Sequence, residues 1–135
     1  MTLGTRRFLG VMAATVFVLG VGASAQYQGW TIPDTAKAEK SPAKNPADAA
    51  KKGKALYSSN CAKCHGPEGK GNGPDSDHAA DLTDEFRADL NPEGVLYYKV
   101  WNGHTSDMPP FKSKLTKDEV WSLVEYLKVL RTPAK

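Results

Sequence analysis

Five consecutive residues, Cys61-Ala62-Lys63-Cys64-His65, constrain this 135-residue chain more than any other feature of its sequence. They include both cysteines of the chain. On a helical turn, two thiols three positions apart can each add to one vinyl group of the same porphyrin. The adjacent His65 is then held beneath the ring, where its imidazole can bind iron. Because C-x-x-C-H is the pattern of covalent haem c attachment, the run predicts one haem c bound through Cys61, Cys64 and His65.

The N-terminal residues have the order of a secretory signal. Arg6 and Arg7 precede an apolar run at 8–21, and Ala23-Ser24-Ala25 follows it, which is the arrangement of charged, apolar and cleavage regions. The run is about 14 residues long, whereas a membrane-spanning helix needs about 20. We therefore expect residues 1–25 to be a signal peptide that directs the chain to the periplasm. A signal that is not cut would tether the protein to the membrane.

Two other kinds of site use closely spaced cysteines. A thioredoxin-like redox pair needs a βαβ context, and the sequence has no strand pattern of useful length. A zinc site needs four ligands, here Cys61, Cys64 and two histidines. Free thiols tend to oxidise outside the cytoplasm, so the predicted export favours haem over both alternatives.

After the signal, the sequence divides into a leader and one domain. Residues 26–45 carry prolines among Ala and Lys without apolar periodicity, which is typical of an extended leader or linker. Within them, Tyr27, Trp30 and Ile32 form a small apolar cluster that either docks on the domain or stays free. Residues 46–135 are too few for more than one core and are expected to form the haem domain. The formal charge of +3 is too small and too evenly spread to predict nucleic-acid binding.

The helix signals begin directly after the leader. Asn45 precedes Pro46, a residue favoured at the first helical position, and the predicted helix ends near Asn60. Gly53 lies inside this helix, where glycine costs about 1 kcal/mol relative to alanine. A glycine in such a place usually has a packing reason, so we expect a second helix to cross closely there.

Two further helices are predicted, and no strands, so the fold class is all-α. One follows Asn91-Pro92-Glu93 and ends at Asn102-Gly103. The last begins with a capping box of Thr116 and Glu119 and continues with apolar residues at helical spacing. The acidic stretch between 75 and 93 is expected to be a solvated loop.

A six-coordinate haem iron also needs a ligand on the face opposite His65. His78 lies in an acidic, solvated loop, and His104 is four residues from Met108. Met108 is the only methionine left after removal of the signal, and Pro109-Pro110 stiffen its loop. These features favour Met108 as the sixth ligand. His/Met ligation raises the reduction potential of a haem, and an iron saturated by protein ligands has no open site for oxygen or peroxide.

Over residues 47–131 the chain also resembles the class I (mitochondrial-type) cytochrome c family. Bacterial periplasmic monohaem carriers are the most similar members. The family implies a small cytochrome c fold of about three to four helices around one covalently bound haem. The resemblance is carried by Gly53-Lys54-Ala55-Leu56-Tyr57, Cys61-Ala62-Lys63-Cys64-His65-Gly66, Asn102-Gly103, Met108-Pro109-Pro110-Phe111 and Leu123-Val124-Glu125-Tyr126-Leu127.

The resemblance implies a role for each site residue. Cys61 and Cys64 would carry the thioethers, His65 would be the proximal iron ligand, and Met108 would be the distal one.

The resemblance also implies two packing details. Gly53 would let the first helix cross the last one near Tyr126. In the family, a proline carbonyl after the motif usually accepts the N–H of the proximal histidine, and Pro74 is the best candidate here.

The aromatic residues have less specific interpretations. At most one residue of the second helix is expected to reach a haem propionate, among Tyr97, Tyr98 and Trp101. Core or haem-pocket positions are expected for Phe111, Trp121 and Tyr126.

The leading hypothesis is an exported electron carrier that passes single electrons between redox protein partners and is not an enzyme by itself. A second hypothesis is a catalytic or sensor haem, which requires a displaceable distal ligand. A third keeps the electron-transfer chemistry but makes the chain a haem subunit of a respiratory or dehydrogenase complex, with residues 26–45 as a docking arm.

Overall fold

The computed structural model describes residues 29–104 and 107–131, so the predicted signal peptide and Tyr27 lie outside the described residues. The described residues form six helices and no strand, apart from an isolated bridge between His104 and Met108. The all-α prediction is confirmed. No helix in the described ranges is long and apolar enough to span a bilayer. The helices are α1 (Asp34–Ala38), α2 (Pro46–Asn60), α3 (Ala62–His65), α4 (Glu85–Leu90), α5 (Glu93–Asn102) and α6 (Lys117–Leu130).

Helix α2 has the boundaries that its sequence predicts. Pro46 occupies its first position, and the Asn45 side chain accepts a hydrogen bond from the Asp48 N–H at 3.3 Å. This bond satisfies one of the N–H groups that a helix start leaves without a partner. The helix ends at Asn60, directly before the cysteine motif.

Helix α6 also begins as predicted, with the capping box of Thr116 and Glu119. The Thr116 hydroxyl accepts from the Glu119 N–H at 3.3 Å, and the Glu119 carboxylate accepts from the Thr116 N–H at 2.9 Å. Every residue from Val120 to Leu127 is buried. This helix is therefore the centre of the core.

Helices α2 and α6 cross in close contact at Gly53. A Cβ placed on Gly53 would overlap the carbonyl of Ser122 and would lie 2.8 Å from the Cβ of Tyr126. Only a residue without a side chain allows this approach. The predicted close crossing is confirmed, and so is its location near Tyr126.

The leader contains a short helix rather than being extended throughout. Helix α1 packs on α5 through a small apolar cluster of Ile32, Ala36 and Val95, with Trp30 partly buried against it. Residues 30–38 therefore dock on the domain, because this packing removes apolar surface from water.

A second departure concerns the acidic stretch, which is not loop throughout. Its C-terminal part forms α4, whose N-cap Asp84 accepts hydrogen bonds from the N–H groups of Phe86 and Arg87 at 2.9 and 3.4 Å. The structure has six helices, whereas the sequence predicted three to four. The difference arises because α1, α3 and α4 are short helices of about one to two turns each.

Candidate functional site

A largely apolar cleft opens between α2, α5, α6 and the loops on either side of them. Cys61, His65 and Met108 all line it, although they lie far apart in sequence. Its walls include the buried side chains of Tyr57, Leu96, Val100, Leu123 and Leu127, and its other lining residues are Trp30, Ala80, Asp81, Leu82, Arg87, Asn91, Lys99 and Arg131.

The cysteine motif turns directly off the end of α2. Cys61 is the C-cap of α2 and the N-cap of α3, and its N–H donates to the Tyr57 carbonyl at 2.8 Å. The two cysteines are not joined by a disulfide, and both are half-buried. Cys61 lines the cleft, whereas Cys64, the third residue of α3, does not. Burial, together with the nearby Cys64, raises the pKa of the Cys61 thiol to about 12.

This environment differs from that of a redox-active or zinc-binding cysteine. Reactive cysteines have lowered pKa values, and the pKa of Cys61 is raised. Within residues 29–104 and 107–131, no group of three or more His, Cys, Asp or Glu side chains is arranged to hold a metal ion. The described residues therefore do not supply the four ligands of a zinc site.

His65 is oriented by the carbonyl of Ala80 and not by that of Pro74, so the Pro74 expectation is wrong. The Nδ1 atom of His65 lies 3.0 Å from the Ala80 oxygen. Because a carbonyl only accepts, Nδ1 carries the hydrogen, which leaves the lone pair on Nε2 for a metal.

The loop at 66–84 brings the Ala80 carbonyl to this position. The Gly71 N–H donates to the His65 carbonyl at 2.8 Å, which folds the loop back against α3. Gly71 has φ of 72°, and a Cβ there would overlap the carbonyl of Ala79. Glycine therefore serves twice, by adopting a left-handed conformation and by letting residues 79–80 pass close to it.

Met108 reaches the cleft from the loop between α5 and α6. Its N–H donates to the His104 carbonyl at 3.1 Å, and its carbonyl accepts from the His104 N–H at 2.7 Å. The chain then returns to α5, where the N–H of the buried Phe111 donates to the Val100 carbonyl at 3.2 Å. Backbone bonds on both sides of Met108 thus fix the position of its loop.

The other two histidines do not line the cleft. His78 is exposed and pairs with the exposed Asp77, with 2.6 Å between Nδ1 and Oδ1. His104 stacks on Trp30, with ring centroids 4.6 Å apart. Neither histidine therefore shares the cleft lining with His65 and Met108.

Of the two positions expected for Phe111, Trp121 and Tyr126, core or haem pocket, the structure shows the core. Trp121, Tyr126 and Phe111 belong to the buried core and do not line the cleft. None of the α5 aromatics lines it either. The aromatic residues that line it are Tyr57 and Trp30. The buried Tyr57 hydroxyl donates to the Gly66 carbonyl at 2.7 Å, and its burial raises its pKa.

Three cationic side chains in the lining were also missed: Arg87, Lys99 and Arg131. Helical spacing could have identified two of them. Leu123, Leu127 and Arg131 follow one another at four-residue steps, and Lys99 lies three residues after Leu96. Residues at these spacings share a helix face.

The residues of the cleft fit a haem. An apolar cleft suits the porphyrin, a histidine with a bonded Nδ1 suits the iron, and a thiol lines the wall beside it. A thioether sulfur in the same lining is a second ligand of a type that haem iron accepts.

Comparisons with known proteins agree with this fit. Residues 48–127, more than half of the chain, match the family described as cytochrome C oxidase, cbb3-type, subunit III. The cbb3-type cytochrome c oxidase subunit FixP of Azorhizobium caulinodans is 32% identical over 82 residues, which are 61% of this chain. The chain spans only 27% of the length of that relative.

A solved structure gives the same result. The KustC0563 c-type cytochrome superposes with a TM-score of 0.52 at 28% identity, covering 59% of this chain and 98% of that one. The fold and cleft are those of a c-type cytochrome domain, which carries covalently bound haem c and transfers electrons. More particularly, the chain belongs to the cytochrome c family of cbb3-type oxidase subunit III. The resemblance to class I cytochromes c is thereby confirmed.

Proposed function

We propose that this chain is an exported, single-haem cytochrome c that passes one electron at a time between protein partners. The observation that carries the proposal is the convergence of Cys61, His65 and Met108 on one apolar cleft. The three residues come from the end of α2, from α3 and from the loop after α5. No element holds all three, so the fold is what brings this set of donors together.

Each residue has a distinct role in this proposal. Cys61 and Cys64 would form the thioether bonds, Cys61 from the cleft lining and Cys64 from the adjoining helix α3. His65 binds the iron through Nε2 while Ala80 holds the opposite side of the ring. Met108 supplies the sixth ligand from its bridged loop.

Bound haem c supplies an iron that takes up and releases a single electron. The apolar lining would keep water away from the iron, and His65 and Met108 would both bind it, so that no ligand position would be left for oxygen or peroxide. The thioether of Met108 favours the ferrous state and raises the potential. This arrangement suits a carrier that is not an enzyme by itself, working in the periplasm with redox proteins as donor and acceptor.

The relationship to an oxidase subunit favours a second candidate, a haem subunit of a respiratory complex. Both candidates use the same residues and the same chemistry. Size-exclusion chromatography of the native protein separates them, because a free carrier elutes alone and a subunit elutes with its complex.

The first experiment determines the haem content of the protein matured outside the cytoplasm. A pyridine haemochrome spectrum and intact mass should give one haem, two thioethers and a mature chain that begins after Ala25. A colourless protein whose two thiols alkylate freely would overturn the proposal.

The second experiment tests the distal ligand. Met108→Ala should abolish the weak long-wavelength absorption of a ferric His/Met haem and open the ferrous iron to carbon monoxide. The matched control is His78→Ala, because His78 is exposed and outside the cleft. Rapid carbon monoxide binding by the unmodified protein would instead favour a catalytic or sensor haem.

A further inference from the structure

The leader runs along α5 in the opposite direction to the helix. Near the start of α5, a Cβ placed on Gly94 would overlap the carbonyl of Ala36, so the two backbones lie in close contact there. Just past the end of α5, the ring of Trp30 stacks on that of His104. The leader therefore reaches from one end of α5 to the other, and the packing of α1 determines where Trp30 lies.

The end of the leader that lies at the start of α5 is firmly attached. Ile32 and Ala36 are buried against Val95, which has no exposed surface. Beyond α1, the Nζ atom of Lys40 lies 3.7 Å from the carboxylate of Glu93, the first residue of α5. Because burial of apolar surface stabilises such packing, Trp30 extends from a docked segment and not from a free tail.

Trp30 itself lies between the leader, the cleft and the His104 ring. It is one of the residues that line the cleft. Its ring centroid lies 4.6 Å from that of His104, and the Nζ atom of Lys99 lies 5.3 Å from it on α5. The backbone before it also approaches His104, because a Cβ placed on Gly29 would lie 3.5 Å from the His104 Nε2. The first described residues of the leader thus pack against the His104 imidazole.

His104 is joined to Met108 through the backbone. Each of the two residues donates its N–H to the carbonyl of the other. The turn before them is tight, because Gly103 has φ of 64° and a Cβ there would overlap the Met108 carbonyl and the nitrogen of Pro110. A contact that holds the side chain of His104 therefore also holds the backbone of Met108.

We propose that Trp30 is a positioning residue for Met108, because it holds the paired residues His104 and Met108 where the Met108 thioether reaches the iron. This inference rests on the proposed function, with Met108 as the distal ligand. A ligand carried on a loop binds in proportion to the fraction of molecules whose loop has the competent arrangement. The stack of Trp30 on His104 raises this fraction, so Trp30 strengthens the bond from Met108 to iron without touching the iron.

This role is not part of what the family shares. The residues that match the family are 48–127, and Trp30 precedes them. The matched domain contains His65 and Met108, whereas the clamp on the Met108 loop comes from the leader. The proposal therefore assigns to the leader a function within its own domain.

The test titrates the ferric holoprotein with imidazole, a ligand that binds iron and competes with Met108. In Trp30→Ala the loop leaves the competent arrangement more often, so imidazole should bind about tenfold more tightly. A tenfold change corresponds to about 1.4 kcal/mol, which is within the range of about 0.5–1.5 kcal/mol for aromatic pairs. Trp30→Phe keeps a ring for the stack and should stay close to the unmodified protein. The matched control is Phe86→Ala, which removes an exposed aromatic ring outside the cleft and should leave imidazole binding unchanged.

A double-mutant cycle separates positioning through His104 from a general loss of packing. His104→Ala removes the other ring of the stack but keeps the backbone pairing with Met108, so it should increase the affinity for imidazole by a similar factor. Because both single changes break the same contact, the double variant should resemble either one. Independent effects would instead multiply to about a hundredfold and would overturn the role of the stack.

An unchanged affinity for imidazole in Trp30→Ala would also overturn the inference. If Trp30→Ala does not accumulate as holoprotein, Trp30→Leu is measured with the same expectation, because leucine keeps apolar bulk and loses the ring. Failure of the proposed function is distinct from either result. It would appear in the unmodified protein, as missing covalent haem or as an absorption spectrum that Met108→Ala does not change.

Discussion

The two halves of this domain are completed in different ways. Where α2 crosses α6, the chain fills its own space, because Gly53 lets the backbones meet and Val120 and Leu123 are almost fully buried beside them. On the other side of α6, the chain leaves an open, largely apolar cleft. We call these regions the packed half and the cleft half.

Charge follows the same division. Among the residues that do not line the cleft, Lys128 lies 3.0 Å from Glu125 and 3.1 Å from Glu93, and Lys40 lies 3.7 Å from Glu93. These charges neutralise one another within the chain. In the cleft half, three cationic side chains, Arg87, Lys99 and Arg131, lie among the residues that line the cleft. The contrast indicates that the protein's own side chains fill the packed half, whereas the haem fills the cleft half.

Removing the two cysteines that would carry the thioethers should have the largest effect, because the cleft half would lose its covalent hold on the haem. In Cys61→Ala/Cys64→Ala, no covalent bond retains the haem, so we expect complete loss of haem that survives denaturing electrophoresis. The helical circular dichroism should also fall, because an empty apolar cleft is unfavourable. The control is Ser58→Ala/Ser59→Ala, two exposed changes one turn earlier in α2. A double variant that keeps covalent haem would contradict the assignment.

A substitution at Gly53 should break the packed half, with the next largest effect. On helix propensity alone, Gly53→Ala would stabilise by about 1 kcal/mol. The new Cβ would overlap the Ser122 carbonyl and crowd Tyr126, so overpacking should dominate and give a net loss of about 2 kcal/mol. Urea unfolding of the holoprotein measures the difference.

The matched control for this variant is Ala55→Gly, at an exposed position of the same helix. It removes a Cβ instead of adding one and should lose about 1 kcal/mol through helix propensity. If Gly53→Ala were more stable than the unmodified protein, the close crossing would be wrong.

The two halves also differ in how far sequence predicts them. The caps at Asn45 and Thr116, the ends of α2 and α5, and the glycine crossing depend on local signals or on periodicity, and each was predicted. The motif also identified Cys61 and His65 as neighbours of one cleft. These features need only residues close together in the chain.

Features of the cleft half that depend on distant residues were not predictable. The carbonyl facing His65 belongs to Ala80, fifteen positions away, because backbone bonds and a left-handed Gly71 set the path of the loop. No residue type identifies a carbonyl acceptor, since every residue has one. Likewise Arg87 lines the cleft from α4, and no local spacing pattern places it beside Lys99 and Arg131, which share helix faces with other lining residues.

A substitution at Gly71 tests how the cleft half positions His65, and we expect its effect to be smaller than that of Gly53→Ala. Gly71→Ala imposes a side chain at φ of 72°, which costs about 1–2 kcal/mol, and crowds the backbone at 79–80. As the Ala80 carbonyl shifts, its bond to His65 weakens. That bond raises the basicity of a ligating histidine, so its loss should raise the reduction potential.

Voltammetry of the holoprotein, together with urea unfolding, measures both effects of Gly71→Ala. Pro74→Ala is the control, because Pro74 is exposed and its carbonyl is not the acceptor for His65. An equal change of potential in both variants would mean that the loop acts without the Ala80 bond.

The smallest predicted effect concerns the ion pairs of Glu93 with Lys128 and Lys40, which lie outside the cleft, and the way their contribution to stability depends on pH. Although burial opposes it, the hydrogen bond and charge of Lys128 and the charge of Lys40 lower the pKa of Glu93. A carboxylate with a lowered folded-state pKa stabilises the fold above its unfolded value of about 4.3, and this contribution is lost as pH falls through the folded value. Glu93→Gln should therefore be less stable than the unmodified protein by about 1 kcal/mol at neutral pH, and this difference in the free energy of unfolding by urea should decrease as the pH is lowered.

Asp34→Asn, at an exposed ion pair on α1, should show a smaller difference at neutral pH. A gap for Glu93→Gln that stays constant down to acid pH would mean that its carboxylate acts through packing and not through charge.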